Sequence, residues 1–154
     1  MPIRVAVYGL GPIGMLIAKN IIEREELQLV AAFEIDPSKV GRDLGEFLGL
    51  GKNLNLTISN EANATEILKE NDVDIVLHST SSYLDKIYPQ VVKCVEAGTD
   101  LISTSETLVN PWYRYPQLAS KIDRIAKERN VSVLGAGINP GFIFDTLPIL
   151  MTLV

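Results

Sequence analysis

The chain has 154 residues, of which 47% are hydrophobic and 21% charged, a composition typical of one globular domain. Its formal net charge is −5 and its Lys and Arg residues form no cluster, which argues against nucleic-acid binding. No uncharged apolar run approaches the ~20 residues that span a bilayer, so we expect no membrane segment. With one cysteine, Cys94, and one histidine, His78, we expect no intrachain disulfide, no metal site and a cytoplasmic location.

Short apolar runs alternate with segments of helical periodicity along most of the chain. The run at 3–8 is rich in β-branched residues and ends at a glycine, as a buried parallel strand does. Segment 12–24 has apolar residues at helical spacing, and Pro12 suits its first turn. The other predicted strands are 28–34, 54–59, 74–79, 99–104 and 131–135, and the other predicted helices are 62–70, 84–97 and 116–129. The pattern of the glycine-rich segment 41–51 indicates no element.

The alternation of strands and helices predicts the fold class. Strands that alternate with helices are typical of crossover units, which place the strands in parallel. We therefore expect an α/β fold with a doubly wound, parallel sheet of about six strands, of the Rossmann type, with the first strand in the centre.

A G-x-G-x-x-G motif lies between the first strand and the first helix. In this motif the first glycine, Gly9, makes a tight turn, and the second, Gly11, lets the backbone approach a pyrophosphate. The third, Gly14, allows the helix to pack closely on the strand. Pro12 and Ile13 lie in the first helical turn, whose free N–H groups and partial positive charge favour phosphates. The motif predicts that a nicotinamide dinucleotide binds here.

Glu34 ends the second strand, twenty residues after Gly14, where a carboxylate that binds the adenosine ribose is expected. A carboxylate accepts hydrogen bonds from a 2′-OH but repels a 2′-phosphate, so NAD is favoured and NADP stays open. NADP stays open because two cationic residues, Lys39 and Arg42, are close to Glu34 in sequence. Asp36 is the alternative ribose ligand if the strand ends later than we expect.

Small and polar residues lie at the carboxyl ends of three further predicted strands. The first group contains Ser79, Thr80 and Ser81, the second Thr104 and Glu106, and the third Asn139. Ligands of open α/β sheets bind beyond the carboxyl ends of the strands, so these residues are candidates for contacts with ribose and nicotinamide. Glu106 is either a substrate-facing acid or a carboxylate at a helix N-terminus. His78 is expected to be a structural hydrogen-bonding residue rather than a catalytic one.

The final segment, 142–154, is apolar except for the charged Asp145 and its threonines. One interpretation is a helix that packs on the sheet. The other, which we favour, is that residues 1–154 are the dinucleotide-binding domain of a longer protein whose substrate domain is absent, because chain ends are usually polar.

The opening 3–14, Glu34 and segment 40–45 together resemble the N-terminal domain of dihydrodipicolinate reductase-like proteins. Segments 104–106 and 137–142 are more similar to one branch of that family, the 2,4-diaminopentanoate dehydrogenases and related amine dehydrogenases. The resemblance implies a two-domain enzyme that oxidatively deaminates a small amine or diamino acid with NAD(P), or reduces the matching imine. It also implies that Glu106 faces the substrate nitrogen, that Asn139 lies near the nicotinamide, and that a homodimer is one assembly to expect.

Two other functions stay open at this point. One is reduction of the dihydrodipicolinate reductase type in lysine biosynthesis, and the other is a non-catalytic domain that senses NAD(H). A methyltransferase-type fold shares the acidic residue after the second strand but rarely has the full glycine motif.

Overall fold

A computed structural model describes residues 1–153 of the chain. Its strands are β1 (Ile3–Tyr8), β2 (Leu27–Glu34), β3 (Ser59–Asn60), β4 (Ile75–His78), β5 (Asp100–Ser103) and β6 (Val133–Gly135). Its α-helices are α1 (Pro12–Ile22), α2 (Leu44–Phe47), α3 (Ala64–Glu70), α4 (Leu84–Ala97), α5 (Pro111–Arg114), α6 (Pro116–Arg129) and α7 (Leu147–Met151).

The six strands form one sheet in the order β3-β2-β1-β4-β5-β6. Every neighbouring pair is parallel. The chain therefore moves outwards from β1 to one edge, returns to β4, and moves to the other edge. The carboxyl ends of all six strands meet at one edge of the sheet, and the strand order reverses beside β1. The prediction of a doubly wound Rossmann-type sheet with a central first strand is confirmed.

Alternation of side chains along β1 divides the interior into two apolar cores. Val5 and Val7 pack on the side covered by α1 and α2, whereas Ala6 and Tyr8 pack on the side covered by α3, α4 and α6. Both sides are buried, which explains why the strand has a nearly continuous apolar run rather than a polar–apolar alternation.

Two predicted helices, 84–97 and 116–129, have the observed bounds of α4 and α6. Each ends at a residue in the left-handed conformation: Gly98 has φ 85°, and Asn130 has φ 56°. These two residue types tolerate that conformation best, and it stops a helix by turning the chain away. Helix α1 ends at Ile22, two residues before the predicted end.

The predicted strand at 54–59 is wrong in position. Only Ser59 and Asn60 pair with β2. The preceding residues are held by the turn around α2, because the Asp43 carboxylate accepts hydrogen bonds from the backbone N–H groups of Leu54 and Leu56. Asp43 also caps α2, which lies in the segment whose pattern indicated no element. The backbone at 56–58 also forms hydrogen bonds with Gly41, Arg42 and Leu44, so this segment pairs with the turn before α2 and not with β2.

The final described residues form a wide helical turn, Phe142–Thr146, followed by α7. Their side chains are largely exposed; Ile149, for example, is 62% exposed and Met151 is 68% exposed. The interpretation of this segment as a helix packed on the sheet is therefore wrong. Across residues 1–153, no helix is both long and apolar enough to cross a membrane.

Candidate functional site

The glycine motif forms a tight connection between β1 and α1. Gly9 has φ +91°, and a Cβ atom on it would lie 2.8 Å from the carbonyl oxygen of Ser79. A Cβ atom on Gly14 would collide with the carbonyl oxygen of Gly9. These two positions require glycine because the backbones of β1, α1 and the loop after β4 approach each other closely.

Gly11 differs from the other two glycines because a Cβ atom there would meet no atom within 4 Å. Its backbone is extended, with φ −72° and ψ −175°, which any residue can adopt. The space outside Gly11 is open, and no side chain of the described residues caps the N-terminus of α1. A phosphate group could therefore lie against this turn and accept hydrogen bonds from it.

The Glu34 carboxylate joins the end of β2 to the glycine loop. One oxygen accepts a hydrogen bond from the backbone N–H of Leu10 at 3.1 Å, and the other accepts one from Ile35 at 2.8 Å. Burial by itself would raise the pKa of Glu34. The hydrogen bonds from Ile35, Lys39, Leu10 and Asp36 outweigh that effect and lower the pKa below its ordinary value. Glu34 is therefore a carboxylate at neutral pH.

Two cavities open at the carboxyl edge of the sheet, one on each side of the glycine loop. The first, which we name the Glu34 cavity, has a volume of about 210 Å³. The second, the Glu106 cavity, has a volume of about 310 Å³. Ser79 and Thr80, at the end of β4, line both cavities. An extended ligand that crosses the loop would therefore touch these two residues at its middle.

The predicted site residues divide between the two cavities. The Glu34 cavity is lined by Tyr8, Gly9, Gly11, Phe33, Glu34, Ile35, Lys39, Glu61, Ser79, Thr80 and Gln90. The Glu106 cavity is lined by Ile13, Ser79, Thr80, Ser81, Ser82, Thr104, Glu106, Ile138 and Asn139. Pro12 and Gly14 line neither, since one begins α1 on the surface and the other is buried beneath the loop. Ten of the twelve predicted site residues thus face one of these cavities.

His78 lies beneath this edge and is almost fully buried. Its Nδ1 is 2.9 Å from the Ser103 hydroxyl, and its Nε2 is 2.9 Å from Oε1 of Gln90. Burial lowers the pKa of His78, so the ring is neutral at pH 7. These contacts support a structural role for His78, as expected.

Gln90 continues the hydrogen-bond chain into the Glu34 cavity. Its amide nitrogen donates to Glu61 at 2.7 Å, and the Tyr8 hydroxyl donates to the same carboxylate oxygen at 3.3 Å. Burial, followed by the charge of Glu61, raises the pKa of Tyr8 well above its ordinary range. Sequence reasoning missed Glu61 and Gln90. Glu61 directly follows β3 and could have been found there, whereas Gln90 is an unremarkable residue within α4.

Two other depressions share no lining residue with the Glu34 cavity, although one of them borders the glycine motif at Ile13. One of about 410 Å³ lies between α6 and β6, and one of about 400 Å³ lies between α1 and β5. The first lacks any residue of the two cavities, and the second is mostly apolar. In the part of the chain that the structure describes, no group of three or more His, Cys, Asp or Glu side chains could hold a metal ion.

Comparison with known proteins decides the family. Residues 3–107 match the family described as "Dihydrodipicolinate reductase, N-terminus", which covers more than half of the chain. The chain belongs to this family. The matched region contains the glycine loop, Glu34, the end of β4 and Glu106, so this dihydrodipicolinate reductase N-terminal domain includes most of both cavities.

Two curated relatives with different functions are similar to this chain. The domain is 33% identical to 2,4-diaminopentanoate dehydrogenase of Acetoanaerobium sticklandii, over 97% of this chain and 42% of that protein. It is 35% identical to 4-hydroxy-tetrahydrodipicolinate reductase of Methanosarcina barkeri, over 86% of this chain and 46% of that protein. The chain therefore spans less than half the length of these relatives.

A solved structure shares the whole architecture. Amine dehydrogenase from Mycobacterium smegmatis superimposes with a TM-score of 0.89 and 32% sequence identity. The match covers 99% of this chain and 44% of that one. The fold of this domain is thus that of the corresponding part of an amine dehydrogenase.

Proposed function

We propose that residues 1–154 are the cofactor-binding domain of an NAD(P)-dependent oxidoreductase that acts on CH–NH2 or C=N groups. The observation that carries this proposal is the pair of cavities on either side of the glycine loop, with Glu34 in one and Glu106 and Asn139 in the other. A dinucleotide has its pyrophosphate in the middle and a nucleoside at each end. The loop and the two cavities have that order.

Each part of the cofactor has a counterpart among these residues. The pyrophosphate would lie on the open turn at Gly11 and the N-terminus of α1. The adenosine ribose would donate hydrogen bonds to the Glu34 carboxylate, which favours NAD. The nicotinamide end would lie in the Glu106 cavity, against Thr104 and Asn139.

Glu106 is the residue proposed to act on the substrate. Its side chain is exposed and lines the cavity, so a substrate nitrogen could approach it. A bound nicotinamide supplies hydride transfer to and from the substrate carbon. During deamination, the Glu106 carboxylate would stabilise positive charge that develops on the nitrogen as the amine becomes an iminium. It could then accept a proton from the water that attacks the iminium carbon and return that proton to the nitrogen. The C–N bond would then break, ammonia would leave, and the carbonyl product would form as its hydroxyl proton passes to solvent.

Support for an amine as substrate comes from the relatives named 2,4-diaminopentanoate dehydrogenase and amine dehydrogenase. The Methanosarcina barkeri reductase supports a second candidate, reduction of a C=N bond in a dihydrodipicolinate-type substrate. Because the relatives are about twice as long as this chain, we propose that a further domain completes the substrate site. The chain by itself would then bind cofactor without turning over amines.

Two experiments test this function. Fluorescence titration of residues 1–154 with NADH should show saturable binding that 5′-AMP competes away, and absence of binding would refute the cofactor assignment. The full-length polypeptide that contains this chain should then be assayed with NAD or NADP against 2,4-diaminopentanoate and other small diamines. Amine-dependent reduction of the cofactor with release of ammonia supports the first candidate. Oxidation of NADPH only with a dihydrodipicolinate-type substrate would support the second.

A further inference from the structure

Gln90 lies on α4 and contacts three polar side chains outside that helix. Its amide nitrogen donates to Glu61 at 2.7 Å, and its amide oxygen accepts from the Thr80 hydroxyl at 2.7 Å. The same oxygen lies 2.9 Å from Nε2 of His78. A carboxylate only accepts hydrogen bonds, so Glu61 requires the nitrogen of the Gln90 amide and leaves its oxygen to face the ring. The orientation of this amide is therefore fixed by Glu61.

The fixed amide decides which nitrogen of His78 carries the proton. A neutral imidazole has one N–H, and this ring is neutral because burial lowers its pKa. Since the Gln90 oxygen accepts, Nε2 carries the hydrogen, and Nδ1 accepts from the Ser103 hydroxyl at 2.9 Å. The hydroxyls of Ser103 and Thr80 could each donate to the ring or accept from it. Among the described side chains that hydrogen-bond to the ring, Gln90 alone imposes a tautomer.

On one side, these hydrogen bonds reach the middle of the proposed cofactor site. Thr80 lines both cavities. Its hydroxyl turns to the Gln90 oxygen and lies 3.0 Å from Nε2 of His78. Its methyl group lies against the glycine loop, where a Cβ atom on Gly9 would be 2.7 Å from it. A dinucleotide that crosses the loop would therefore meet Thr80 in one held orientation.

On the other side, they reach the residue before Glu106. The Ser103 hydroxyl donates to His78, and its oxygen accepts the backbone N–H of Ser105 at 3.1 Å. Ser105 is buried, and its own hydroxyl donates to the carbonyl oxygen of Ser82 at 2.9 Å. In the opposite tautomer Nδ1 would donate to the Ser103 oxygen, and the hydrogen of this fully buried hydroxyl would lose its acceptor. The backbone that carries Glu106 is thus tied to the same tautomer.

We propose that Gln90 is a positioning residue that connects the two cavities. It acts through His78: the amide fixes the ring, and the ring fixes the hydroxyls of Thr80 and Ser103. The loop at the middle of the cofactor and the segment before Glu106 are then held by one set of hydrogen bonds. This inference rests on the proposed function, because it needs a dinucleotide to cross the loop beside Thr80.

The chain has one histidine, so long-range 1H–15N NMR spectra of residues 1–154 report the tautomer of His78 directly. The parent should show the Nε2–H form. Gln90→Met keeps a side chain of similar length but removes the amide, so it should give a mixture of both forms and shift the Ser105 backbone amide. The Kd of NADH, measured by fluorescence titration, should rise by about 5-fold, the effect of one uncharged hydrogen bond. Gln117→Met is the matched control, since it makes the same change at an exposed position of α6 that lines neither cavity.

Two further variants separate positioning from direct contact between Gln90 and the cofactor. Glu61→Gln allows the Gln90 amide to turn either way, because a second amide can donate or accept. It should therefore mix the tautomers although it changes no side chain that touches the ring. In the background of His78→Gln, adding Gln90→Met should raise the Kd of NADH by less than about 2-fold, because substitutions that act through one network are not additive. A direct contact of Gln90 with the cofactor would give additive losses.

A single Nε2–H form in the parent, its loss in Gln90→Met and Glu61→Gln, and non-additive effects on NADH binding support the proposal. An Nδ1–H form in the parent, an unchanged tautomer in the two variants, or additive losses would overturn it. A parent that shows the expected tautomer but does not bind NADH would refute the proposed function, and the positioning role with it. Thermal melts establish that each variant is folded, and Glu61→Gln decides the tautomer argument if Gln90→Met is not.

Discussion

The Glu34 carboxylate accepts a hydrogen bond from the backbone N–H of Leu10 at 3.1 Å, across 24 residues of sequence. Leu10 lies between the first two glycines of the motif, so this bond fixes the loop relative to the end of β2. A ribose that binds Glu34 and a pyrophosphate that binds the loop would therefore meet two groups already held at a set separation. Such preorganisation lowers the entropic cost of binding an extended ligand.

Replacing Glu34 tests the ribose assignment. Glu34→Gln should weaken NAD binding by about 1–3 kcal/mol, the usual cost of losing a hydrogen bond to a charged group. It should also narrow the preference for NAD over NADP, because the negative charge that repels a 2′-phosphate is gone. Calorimetric titration with both cofactors measures these changes. Asp36→Asn is the control, since Asp36 does not line the cavity. Should NAD binding survive in Glu34→Gln and fail in Asp36→Asn, Asp36 is the ribose ligand.

Substitution of two glycines of the motif should show that one is needed for stability and the other for cofactor binding. In Gly14→Ala the new Cβ collides with the carbonyl oxygen of Gly9, so the free energy of unfolding should fall by ~1–3 kcal/mol. In Gly11→Ala the new Cβ enters open space and the backbone is unstrained, so stability should stay near that of the parent. NADH binding should nevertheless weaken, because the methyl group occupies the approach of the pyrophosphate.

Urea denaturation and NADH titration of these two variants provide the check. Destabilisation of Gly11→Ala would mean that its surroundings are tighter than the structure shows. Unchanged NADH affinity in Gly11→Ala would place the pyrophosphate elsewhere and would contradict the proposed binding mode.

The fold could be predicted from local patterns because each pattern has a local physical cause. The apolar residues 5–8 of β1 are buried on both sides of the sheet, and Gly98 ends α4 by its own conformational freedom. The predicted strand at 54–59 is misplaced because the contacts that hold this segment come from residues distant in sequence. The Asp43 side chain, eleven residues before Leu54, accepts hydrogen bonds from two backbone N–H groups of that segment, and the backbone at 41–44 pairs with 56–58.

In the candidate site, too, some residues could be predicted from local sequence and others could not. Glu34 follows from its distance to the glycine motif, and the polar strand ends follow from the parallel order of the sheet. The link between His78, Gln90 and Glu61 joins β4, α4 and the turn after β3. Nothing in the spacing of these residues indicates that they meet, since only the packing of α4 on the sheet brings them together.

The buried His78 should make the domain sensitive to mild acid. Its pKa is lowered in the folded state by burial, so the unfolded chain binds a proton that the folded chain does not. The stabilisation is complete above the unfolded pKa of about 6.5 and is lost as pH falls below it, by at most ~1.4 kcal/mol per pH unit. Urea denaturation between pH 7.5 and 5 should show this slope in the parent and a smaller one in His78→Gln. Equal slopes in both proteins would mean that His78 is protonated in the folded state.

In the longer, two-domain polypeptide proposed above, the role of Glu106 can be separated from cofactor binding. Glu106 lines the Glu106 cavity, where the nicotinamide is proposed to lie, and does not line the Glu34 cavity. We expect Glu106→Ala to lower kcat for amine oxidation by about 100-fold, a typical contribution of a general base, because its partner is the reacting nitrogen or water. The Kd of NAD should change by less than about 3-fold. Steady-state assays of ammonia release and direct titration with NAD measure the two effects independently.

A matched control distinguishes a catalytic role of Glu106 from the general effect of removing an exposed carboxylate. Glu70→Ala removes an exposed carboxylate at the end of α3 that lines neither cavity, and it should leave both kcat and the Kd of NAD near the parent values. If Glu106→Ala turns over amines as fast as Glu70→Ala does, Glu106 has no part in the reaction and only begins the helical turn at 106–108. If it instead loses NAD affinity and kcat in parallel, its carboxylate supports the cofactor site, because an interaction with the reacting nitrogen would leave cofactor binding intact.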